Sequence, residues 1–429
     1  MAIRGACAGA EMTPDGLGRR GLLRATASLG MAGLVGAQVT QSARAAADKG
    51  PPRILQPGQG PVRGAYLPST TETIRWGFLP NRTAKPVLTV ASGSVVTVDT
   101  VSHEGILEDQ GRDPVAYFGA HGVRPKDVLA DARAIAASSI RHDFNADGPH
   151  IVTGPVAVRG AARGDVLKIE VLALAMRVPY GVVSNRHGLG ALPGEYPESI
   201  ENDPQTAPYL NKFRNISVFT PVAQRKGSPH GIMPAGRGEV SFPLSVFMGL
   251  MGVGVDTTAK VNSIPPTLAG GNLDINPLGV GSVLYLPVQL PGALFYTGDP
   301  HFAQGDGEVA LTALEAPLRA TFRLTVIKPG GKAPKLAFSY PFGETAEYWI
   351  PVGLSDPDGP VGGQQTSLDV AMKTAVRNAI AFLHDEHGMA KAVAYAYLSS
   401  AVDFQVSQVV DRTTGIHALI RKADFGRRP

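Results

Sequence analysis

The chain has 429 residues, of which 44% are hydrophobic and 18% charged, and it contains 51 glycines and 35 prolines. This length allows one to three domains with a large core, and the glycine and proline content indicates many turns, which favours a β-rich fold over a helical or disordered one. The formal net charge is +4, but residues 1–47 hold five basic and two acidic residues, which leaves 35 basic and 34 acidic residues in the rest of the chain. That near-neutral remainder has no basic patch, so no nucleic-acid partner is expected.

The N-terminal segment is typical of a twin-arginine export signal. Arg19 and Arg20 stand together, a mildly apolar run from Ala25 to Val39 follows, and small residues near Ala45 or Ala47 fit a cleavage site. The apolar run is too short to span a bilayer comfortably, so no permanent membrane anchor is expected. We therefore expect the twin-arginine export machinery as a partner and a periplasmic location.

Cysteine usage narrows the chemistry. The one cysteine, Cys7, lies in the expected signal peptide. After removal of that peptide the protein would have no thiol, which excludes disulfides, cysteine nucleophiles, cysteine-based zinc sites and iron–sulfur clusters.

From Pro86 onward the pattern predicts strands and turns. Two short apolar runs flank the turn at 92–94, and residues 154–174 combine a strand, a glycine-rich turn and a strand with period-two alternation. The segments 281–290 and 320–340 continue this pattern. The stretch 180–235 is long and turn-rich, and we expect it to line a site or an interface.

Helical spacing appears late in the chain. Apolar residues recur every three or four positions from Leu368 to Leu383, Thr366 or Ser367 can cap the start, and Gly388 can end the helix. A second helix is predicted for roughly residues 390–400. The fold class predicted from these patterns is mainly β, with a smaller α+β part and C-terminal helices. The predicted segments are a signal peptide at 1–47, a β-rich core at 48–355, and a helical segment at 356–429 that completes the same catalytic unit.

Polar residues gather in four stretches where β-turns are expected. Taken singly, an acid beside glycine usually forms a turn with its own backbone, and a lone histidine is usually structural. Imidazole and carboxylate groups at several strand ends are, however, ligands that suit zinc and similar divalent ions without thiols. The stretches contribute Asp99, His103 and Glu104; His150 and Thr153; Asn272 and Asp274; and His301, Gln304, Asp306 and Glu308.

The last two stretches lie in a pattern that resembles the acetamidase/formamidase family. The family pattern is a proline pair, a GGN-x-D segment, a strand of the type LYLPV and then G-D-x-H-x-A-Q-G-D-G-E; this chain carries these elements at 265–266, 270–274, 284–288 and 298–308. Residues 150–171 and a late segment with Asp403, Ser407 and Gln408 are also similar to the family, so the resemblance covers roughly residues 85–425.

The resemblance implies a largely β, jelly-roll-like sandwich. It also implies hydrolysis of the carbon–nitrogen bond in linear amides such as formamide or acetamide, with release of ammonia and a carboxylic acid. At the level of the family, a homo-oligomer is expected. The segment 102–118, the stretch 180–235 and the export signal do not obviously match the better-known cytoplasmic members, which leaves the size and identity of the substrate open.

Metal-activated water is the mechanism that the remaining chemistry favours. There is no cysteine for nitrilase-type chemistry, no Gly/Ser-rich signature of the Ser-Ser-Lys amidases, and no G-x-S-x-G elbow. We expect Asp274 and His301 to bind a divalent ion such as zinc, with Asp99 or His150 completing the ligand set.

The catalytic predictions centre on residues 304–308. Glu308 is predicted to act as general base and acid, Asp306 is a further catalytic candidate, and Gln304 or Asn272 would orient the amide. The alternative is that Asp306 and Glu308 only bond turn amides. A periplasmic small-molecule binding protein on the same scaffold and an amidohydrolase for larger amides also stay open: turnover distinguishes an enzyme from a binding protein, and a substrate panel distinguishes the two enzymes.

Overall fold

The computed structural model describes residues 53–357 and 367–426. The predicted signal peptide and the alternative helix cap Thr366 lie outside this described part. Within it, the strands form two large sheets and one two-stranded sheet, which confirms the predicted mainly β fold.

The strand bounds follow the sheet order. The nine-stranded sheet runs Ala65–Leu67, Ser94–Asp99, Leu318–Ile327, Val166–Met176, Val283–Pro287, Phe342–Glu344, Tyr348–Leu354, Gly415–Arg421, Asp403–Gln408. The eleven-stranded sheet runs Gly238–Pro243, Ser228–Ala235, Ile216–Arg225, Tyr180–Asn185, Leu314–Glu315, Phe295–Ala303, Phe247–Gly252, Gly270–Asn272, with Ile151–Val158 joining Phe295–Ala303 to Ile74–Trp76 and Leu88–Val90. The third sheet pairs Phe78–Leu79 with Val261–Asn262.

The two large sheets share one hydrophobic core. Phe322 of the first sheet meets Phe295 of the second edge to face, with ring centroids 5.2 Å apart, and both side chains are buried. The strand Phe295–Ala303 is buried at every position except its last residue. A strand covered on both sides can carry polar side chains only where the fold supplies partners for them, and this strand carries two of the site residues described below.

Helices make up the smaller part of the fold. The α-helices are Pro114–Ala120, Ala130–Ala136, Leu368–His387 and Lys391–Ala401; the 3₁₀-helices are Glu108–Gln110, Pro125–Asp127, Ala207–Tyr209, Lys335–Phe338 and Lys422–Asp424. No helix in 53–357 or 367–426 is long and apolar enough to cross a membrane.

Both predicted C-terminal helices are confirmed. The side chain of Ser367 accepts a hydrogen bond from the Val370 N–H, and Gly388 ends the helix with a φ of 66°. The helix packs closely on the strand Tyr348–Leu354, because a Cβ on Gly353 would lie only 2.2 Å from the backbone nitrogen of Ala375. The predicted helical segment 356–429 also contains two strands, Asp403–Gln408 and Gly415–Arg421, which belong to the nine-stranded sheet.

Three local expectations differ from the structure. Residues 335–338 form a 3₁₀-helix rather than a strand, with the Ala337 N–H bonded to the Pro334 carbonyl in a local turn. Much of the stretch 180–235 is strand and extends the eleven-stranded sheet, whereas its loop 186–215 is irregular apart from one 3₁₀ turn. The first half of the motif at 298–308 lies inside a buried strand and not in a turn, because its backbone pairs with the strand Phe247–Gly252.

Candidate active site

A buried histidine lies between two carboxylates. Asp299 and His301 are two residues apart on the strand Phe295–Ala303, so they share one face of the sheet. Glu315 is the cross-strand partner of His301. His301 Nε2 lies 3.0 Å from Asp299 Oδ2 and 3.0 Å from Glu315 Oε1, and His301 is fully buried.

Two further acids reach the same imidazole from loops. His301 Nδ1 lies 3.9 Å from Asp274 Oδ1, and His301 Nε2 lies 3.9 Å from Glu308 Oε1. Asp274, Asp299 and Glu308 have φ angles of 51°, 50° and 49°, in the left-handed region that non-glycine residues seldom occupy. Such backbone conformations persist only where the surrounding fold enforces them, and they concentrate at functional sites.

A second pair of histidines faces the other oxygen of Asp299. His103 Nδ1 lies 3.7 Å from Asp299 Oδ1, and His150 Nε2 lies 3.6 Å from the same atom. The His150 Nδ1 atom forms a 2.9 Å hydrogen bond with the Ser263 hydroxyl, which fixes the orientation of that ring. The carboxylate of Asp299 therefore stands between His301 on one side and two histidines on the other.

Eight buried acidic and imidazole side chains, named at the end of this paragraph, form the site cluster. Its acidic members carry many buried oxygens without a hydrogen-bond partner, among them both carboxylate oxygens of Asp274. Within the described ranges, no lysine or arginine forms an ion pair with any of its carboxylates. The site cluster consists of Asp274, Asp299, Glu308, Glu315, Asp411, His103, His150 and His301.

Crowding of buried acids changes their proton affinity. Burial, reinforced by the neighbouring carboxylates, raises the pKa of Asp274 well above its usual range. Burial likewise raises the pKa of Glu308 well above its usual range, against the opposing effect of His301. Burial together with the charge of Asp299 raises the pKa of Glu315 to about 7, and burial raises the pKa of Asp411 to about 7.

The pKa of Asp299 shifts in the opposite direction to that of the other acids, and the two histidines His301 and His150 differ from each other. Burial disfavours the ionised form of Asp299, but His150 and His301 outweigh it and hold the pKa of Asp299 well below its usual range. Burial also disfavours a charged His301, yet Glu315 and Asp299 raise the pKa of His301 well above its usual range. Burial dominates at His150 and lowers its pKa to about 4. Asp299 is therefore the site carboxylate that most readily carries a full negative charge.

The absence of a side chain at Gly249 keeps space open inside the site cluster. A Cβ at this position would lie 2.4 Å from Asp274 Oδ1, 2.6 Å from His301 Cε1 and 2.9 Å from Asp299 Oδ2. No real side chain fits at such distances, so only glycine leaves these three groups facing one another across a gap. The space, together with the unpartnered oxygens, has the character of a cation site.

An outer set of hydrogen bonds holds the ligands in place. The His103 Nε2 atom lies 3.3 Å from Glu104 Oε1, and Glu104 is bound in turn by the Arg186 guanidinium at 2.8 Å. The Gln304 amide donates to the backbone carbonyls of Asp274 and Ser407 at 3.0 and 2.9 Å. Buried partners of this kind orient the groups that touch a ligand.

A cavity of about 440 Å³ opens above the site cluster. Its inner end is lined by His103, His150, Asp299, Glu308 and Glu315. Asn272 also lines it, and the side-chain oxygen of this buried residue has no hydrogen-bond partner among the described residues. The arrangement offers a small polar ligand acidic groups, imidazoles and one amide at the closed end of a large pocket.

Comparison with known proteins finds similarity to one family of amide hydrolases. Residues 237–420 match the model of the Acetamidase/Formamidase family. The chain is 26% identical to the formamidase of Methylophilus methylotrophus over 318 residues, 64% of this chain and 76% of that protein. It is 26% identical to the acetamidase of Mycolicibacterium smegmatis over 200 residues, 37% of this chain and 49% of that protein.

The fold agrees with these matches. The crystal structure of an acetamidase from Bacillus halodurans superposes with a TM-score of 0.62 at 23% identity and covers 84% of this chain and 98% of its own. Over these residues the chain is similar to the acetamidase/formamidase family, and its fold is that of a solved acetamidase.

Within the family motif, the predicted site residues separate into two groups. The structure brings Asp274, His301, His150 and Glu308 into the site cluster. The groups with ligand atoms close enough to share one ion join Asp274 with His301 and Glu308, and His150 with His103 and Asp299, so the ligand set of Asp274, His301 and His150 stays a prediction. Asn272 lies at the cavity beside them, where it can contact a substrate.

Gln304 and Asp306 lie elsewhere than predicted. Gln304 is close to the site but binds backbone carbonyls, so it positions Asp274 rather than facing the cavity. Asp306 is exposed and accepts a hydrogen bond at 3.0 Å from the side-chain amide of Asn276, which belongs to another segment and not to the turn around Asp306.

Asp99 is not brought to the site cluster. Its carboxylate is bound by the Arg319 guanidinium at 2.5 and 2.9 Å and by the Tyr66 hydroxyl at 2.6 Å. Both oxygens are thus already occupied by donors of the nine-stranded sheet and its surroundings. Of the two residues expected to complete the ligand set, Asp99 lies outside the site cluster and is neutralised by these donors, whereas His150 lies inside it.

Sequence reasoning gave no role to three members of the site cluster. Asp299 could have been found from its position two residues before His301, which puts both on one strand face. Glu315 carried no signal, because cross-strand pairing brings it to His301 from a two-residue strand. Asp411 is the last residue of the late family-like segment, but the acid singled out in that segment was Asp403, which is exposed.

Proposed function

We propose that this chain hydrolyses the carbon–nitrogen bond of linear amides, releasing ammonia and a carboxylic acid, with a divalent cation held in the site cluster. The observation that carries the proposal is a set of five buried carboxylates near His301 that have no lysine or arginine partner among the described residues. Similarity to the acetamidase/formamidase family, whose matched relatives are named formamidase and acetamidase, supports the amide as substrate class.

The geometry of the site cluster fits a divalent cation. Mixed oxygen and imidazole donors suit zinc, which is the ion we expect. When bound there, such a cation supplies Lewis-acid chemistry that polarises an amide carbonyl and acidifies water. Three groups have ligand atoms within 4.8 Å of one another: Asp299, His301 and Glu315; Asp274, His301 and Glu308; His103, His150 and Asp299.

Glu308 is assigned the proton transfers. Amide hydrolysis needs one group that takes a proton from water and then gives a proton to the departing nitrogen. Glu308 lines the cavity, and burial raises the pKa of its carboxyl well above the usual range, toward a value at which it can both accept and donate. Asn272, whose side-chain oxygen is buried and unpartnered, is assigned to accept a hydrogen bond from the amide nitrogen.

The test is ammonia release from formamide, acetamide and propionamide by the purified protein. Metal content is measured in parallel, before chelation, after chelation and after zinc is restored. We expect release that falls at least about a hundredfold on chelation and returns with the ion. Binding of amides without release, by a folded protein that contains its ion, would refute turnover and favour the binding-protein alternative.

We also propose export through the twin-arginine pathway and residence in the periplasm, on the sequence pattern around Arg19 and Arg20. Replacing both residues, Arg19→Lys with Arg20→Lys, is expected to leave the protein in the cytoplasmic fraction. The matched control Arg24→Lys, in the same segment but outside the pair, is expected to be exported normally. Equal periplasmic amounts of the double variant and the control would contradict the proposal.

A further inference from the structure

The cavity is much larger than a formamide or acetamide needs. Its volume is about 440 Å³. An amide with three or four heavy atoms displaces about as many water molecules, on the order of 100 Å³ at ~30 Å³ per water. Cavities of ~300–1,000 Å³ typically enclose ligands of drug size. A substrate of only three or four heavy atoms would leave most of this space to water.

The cavity lining combines polar and apolar surface. The acids and imidazoles of the site cluster that line it are buried, and other polar groups such as Asn145, His187 and Arg412 also line it. Besides the buried Leu107, large apolar side chains of the lining come from separate segments of the chain. They are Phe144, Leu189, Phe213, Ile264, Leu311 and Val410.

Two of these side chains are unusually exposed for their size. Leu189 is 46% exposed and Phe213 is 44% exposed, and both belong to the loop 186–215. Phe213 meets Phe144 edge to face, with ring centroids 5.3 Å apart, so the aromatic wall is built from two loops. Apolar side chains that are exposed at the mouth of a cavity are typical of a surface that a ligand covers.

We propose that the physiological amide carries a bulky apolar acyl group, such as an aryl or branched alkyl group, which packs against Phe144, Leu189 and Phe213. This inference rests on the proposed function. In that reaction water adds to the carbonyl carbon and the carbon–nitrogen bond breaks. The nitrogen, which already carries two hydrogens, receives one proton of that water through Glu308 and leaves as ammonia. The group that packs against Phe144, Leu189 and Phe213 therefore has to be attached to the carbonyl carbon, and it leaves as part of the carboxylic acid.

The experiment compares kcat/KM for ammonia release from acetamide and from phenylacetamide by the cation-loaded protein. We expect phenylacetamide to be favoured about tenfold or more. In Phe213→Ala, the ratio of the two values is expected to fall about tenfold, and Leu189→Ala gives a second, independent reading of the same wall. The matched control is Leu192→Ala: Leu192 lies in the same loop and is 48% exposed, but it does not line the cavity.

The outcomes separate the two proposals. Hydrolysis of acetamide that equals or exceeds that of phenylacetamide overturns the inference and leaves the proposed function standing. A preference for phenylacetamide that neither Phe213→Ala nor Leu189→Ala reduces also overturns it, because the acyl group would then lie elsewhere. Release of ammonia from neither amide refutes the proposed function, and the inference fails with it.

Discussion

Two groups of buried charged side chains lie in this fold, and their charges are balanced in opposite ways. In the first, which we call the ion-pair cluster, Asp99 and Asp131 face Arg319 and Arg177; Arg319 binds Asp99 with two hydrogen bonds, and Arg177 lies 2.7 Å from Asp131. In the second, the site cluster, five acids surround His301 and no lysine or arginine of the described residues pairs with them.

The comparison separates buried carboxylates that arginine side chains of the chain compensate from buried carboxylates that have no such partner among the described residues. Burying a charge is strongly unfavourable unless a partner compensates it. The ion-pair cluster supplies its own partners, so nothing has to be added. The site cluster instead favours protonated carboxyls, as the raised pKa values of Glu315 and Asp411 indicate. The cation proposed above would take the place of those protons.

The largest effect is expected at Glu308. Glu308→Gln removes the group assigned to proton transfer and should lower kcat for amide hydrolysis by about 100- to 10,000-fold. Its thermal unfolding midpoint should change little, because no lysine or arginine of the described residues pairs with the carboxyl and its basic neighbour, His301, is 3.9 Å away. Ammonia release and calorimetry measure the two quantities.

The matched control for that change lies in the same motif. Asp306→Asn alters an exposed carboxyl that only contacts Asn276, so activity should stay within about twofold of the original. Loss of activity in Asp306→Asn, with activity retained in Glu308→Gln, would reverse the assignment.

Asp99→Asn tests the ion-pair cluster. Breaking a buried ion pair costs about 3–5 kcal/mol, so urea unfolding should show a loss of that order. Because Asp99 is outside the site cluster, the amount of bound cation per chain should not change. Asp256→Asn, which breaks surface pairs with Arg82 and Arg163, should cost at most about 1 kcal/mol. A variant of Asp99 that loses its cation at normal stability would restore the original expectation that this residue is a ligand.

Gly249→Ala should disturb the geometry of the site cluster without changing any of its charged groups. The added methyl group would lie 2.4 Å from Asp274 Oδ1, so the carboxylate has to move away from the space in which we expect the cation. Cation content should fall, and overpacking should cost about 1–3 kcal/mol of stability. Gly305→Ala is the control, since a Cβ there contacts nothing within 4 Å. Full cation content in Gly249→Ala would place the ion elsewhere.

Features encoded by neighbouring residues were predictable from the sequence. The helix that begins after Ser367 and ends at Gly388 carries both of its end signals locally, and the strands follow from alternation along each strand. His301 and Glu308 were identified because one short motif contains both.

Features that depend on distant pairing were not predictable. Asp99 has the residue type and strand-end position of a ligand, but its partner Arg319 is 220 residues away in the sequence. Glu315 reaches His301 only through the pairing of two strands. In both cases the sheet topology determines whether the carboxylate lies beside an arginine or beside an imidazole. The residues next to it in the sequence do not predict which of the two it will be.

The smallest predicted effect is the pH dependence of stability in the chelated protein. In the folded chain the pKa values of Glu315 and Asp411 are raised to about 7, so near neutral pH the folded chain holds protons that the unfolded chain has already released. Stability then decreases as pH rises. His301 acts in the same direction, since its raised pKa gives stability that is complete below about 6.5 and is lost above it.

Opposing groups have finished titrating before this range. His150, with a pKa lowered to about 4, adds stability as pH rises, but only up to its ordinary value near 6.5. The lowered pKa of Asp299 contributes stability that is already complete at acidic pH. Between pH 6.5 and 8.5 the thermal unfolding midpoint of the chelated protein should therefore fall by about a few degrees.

Adding the cation should reverse that slope. A bound ion displaces the protons of the site cluster, so its affinity increases with pH, and it stabilises the folded state that binds it. The measurement is the unfolding midpoint across this pH range, with chelator and with zinc. A midpoint that stays constant or rises with pH in chelator would mean that the buried acids hold no excess protons. The contrast between the site cluster and the ion-pair cluster would then lose its electrostatic basis, because both would be neutralised from within the chain.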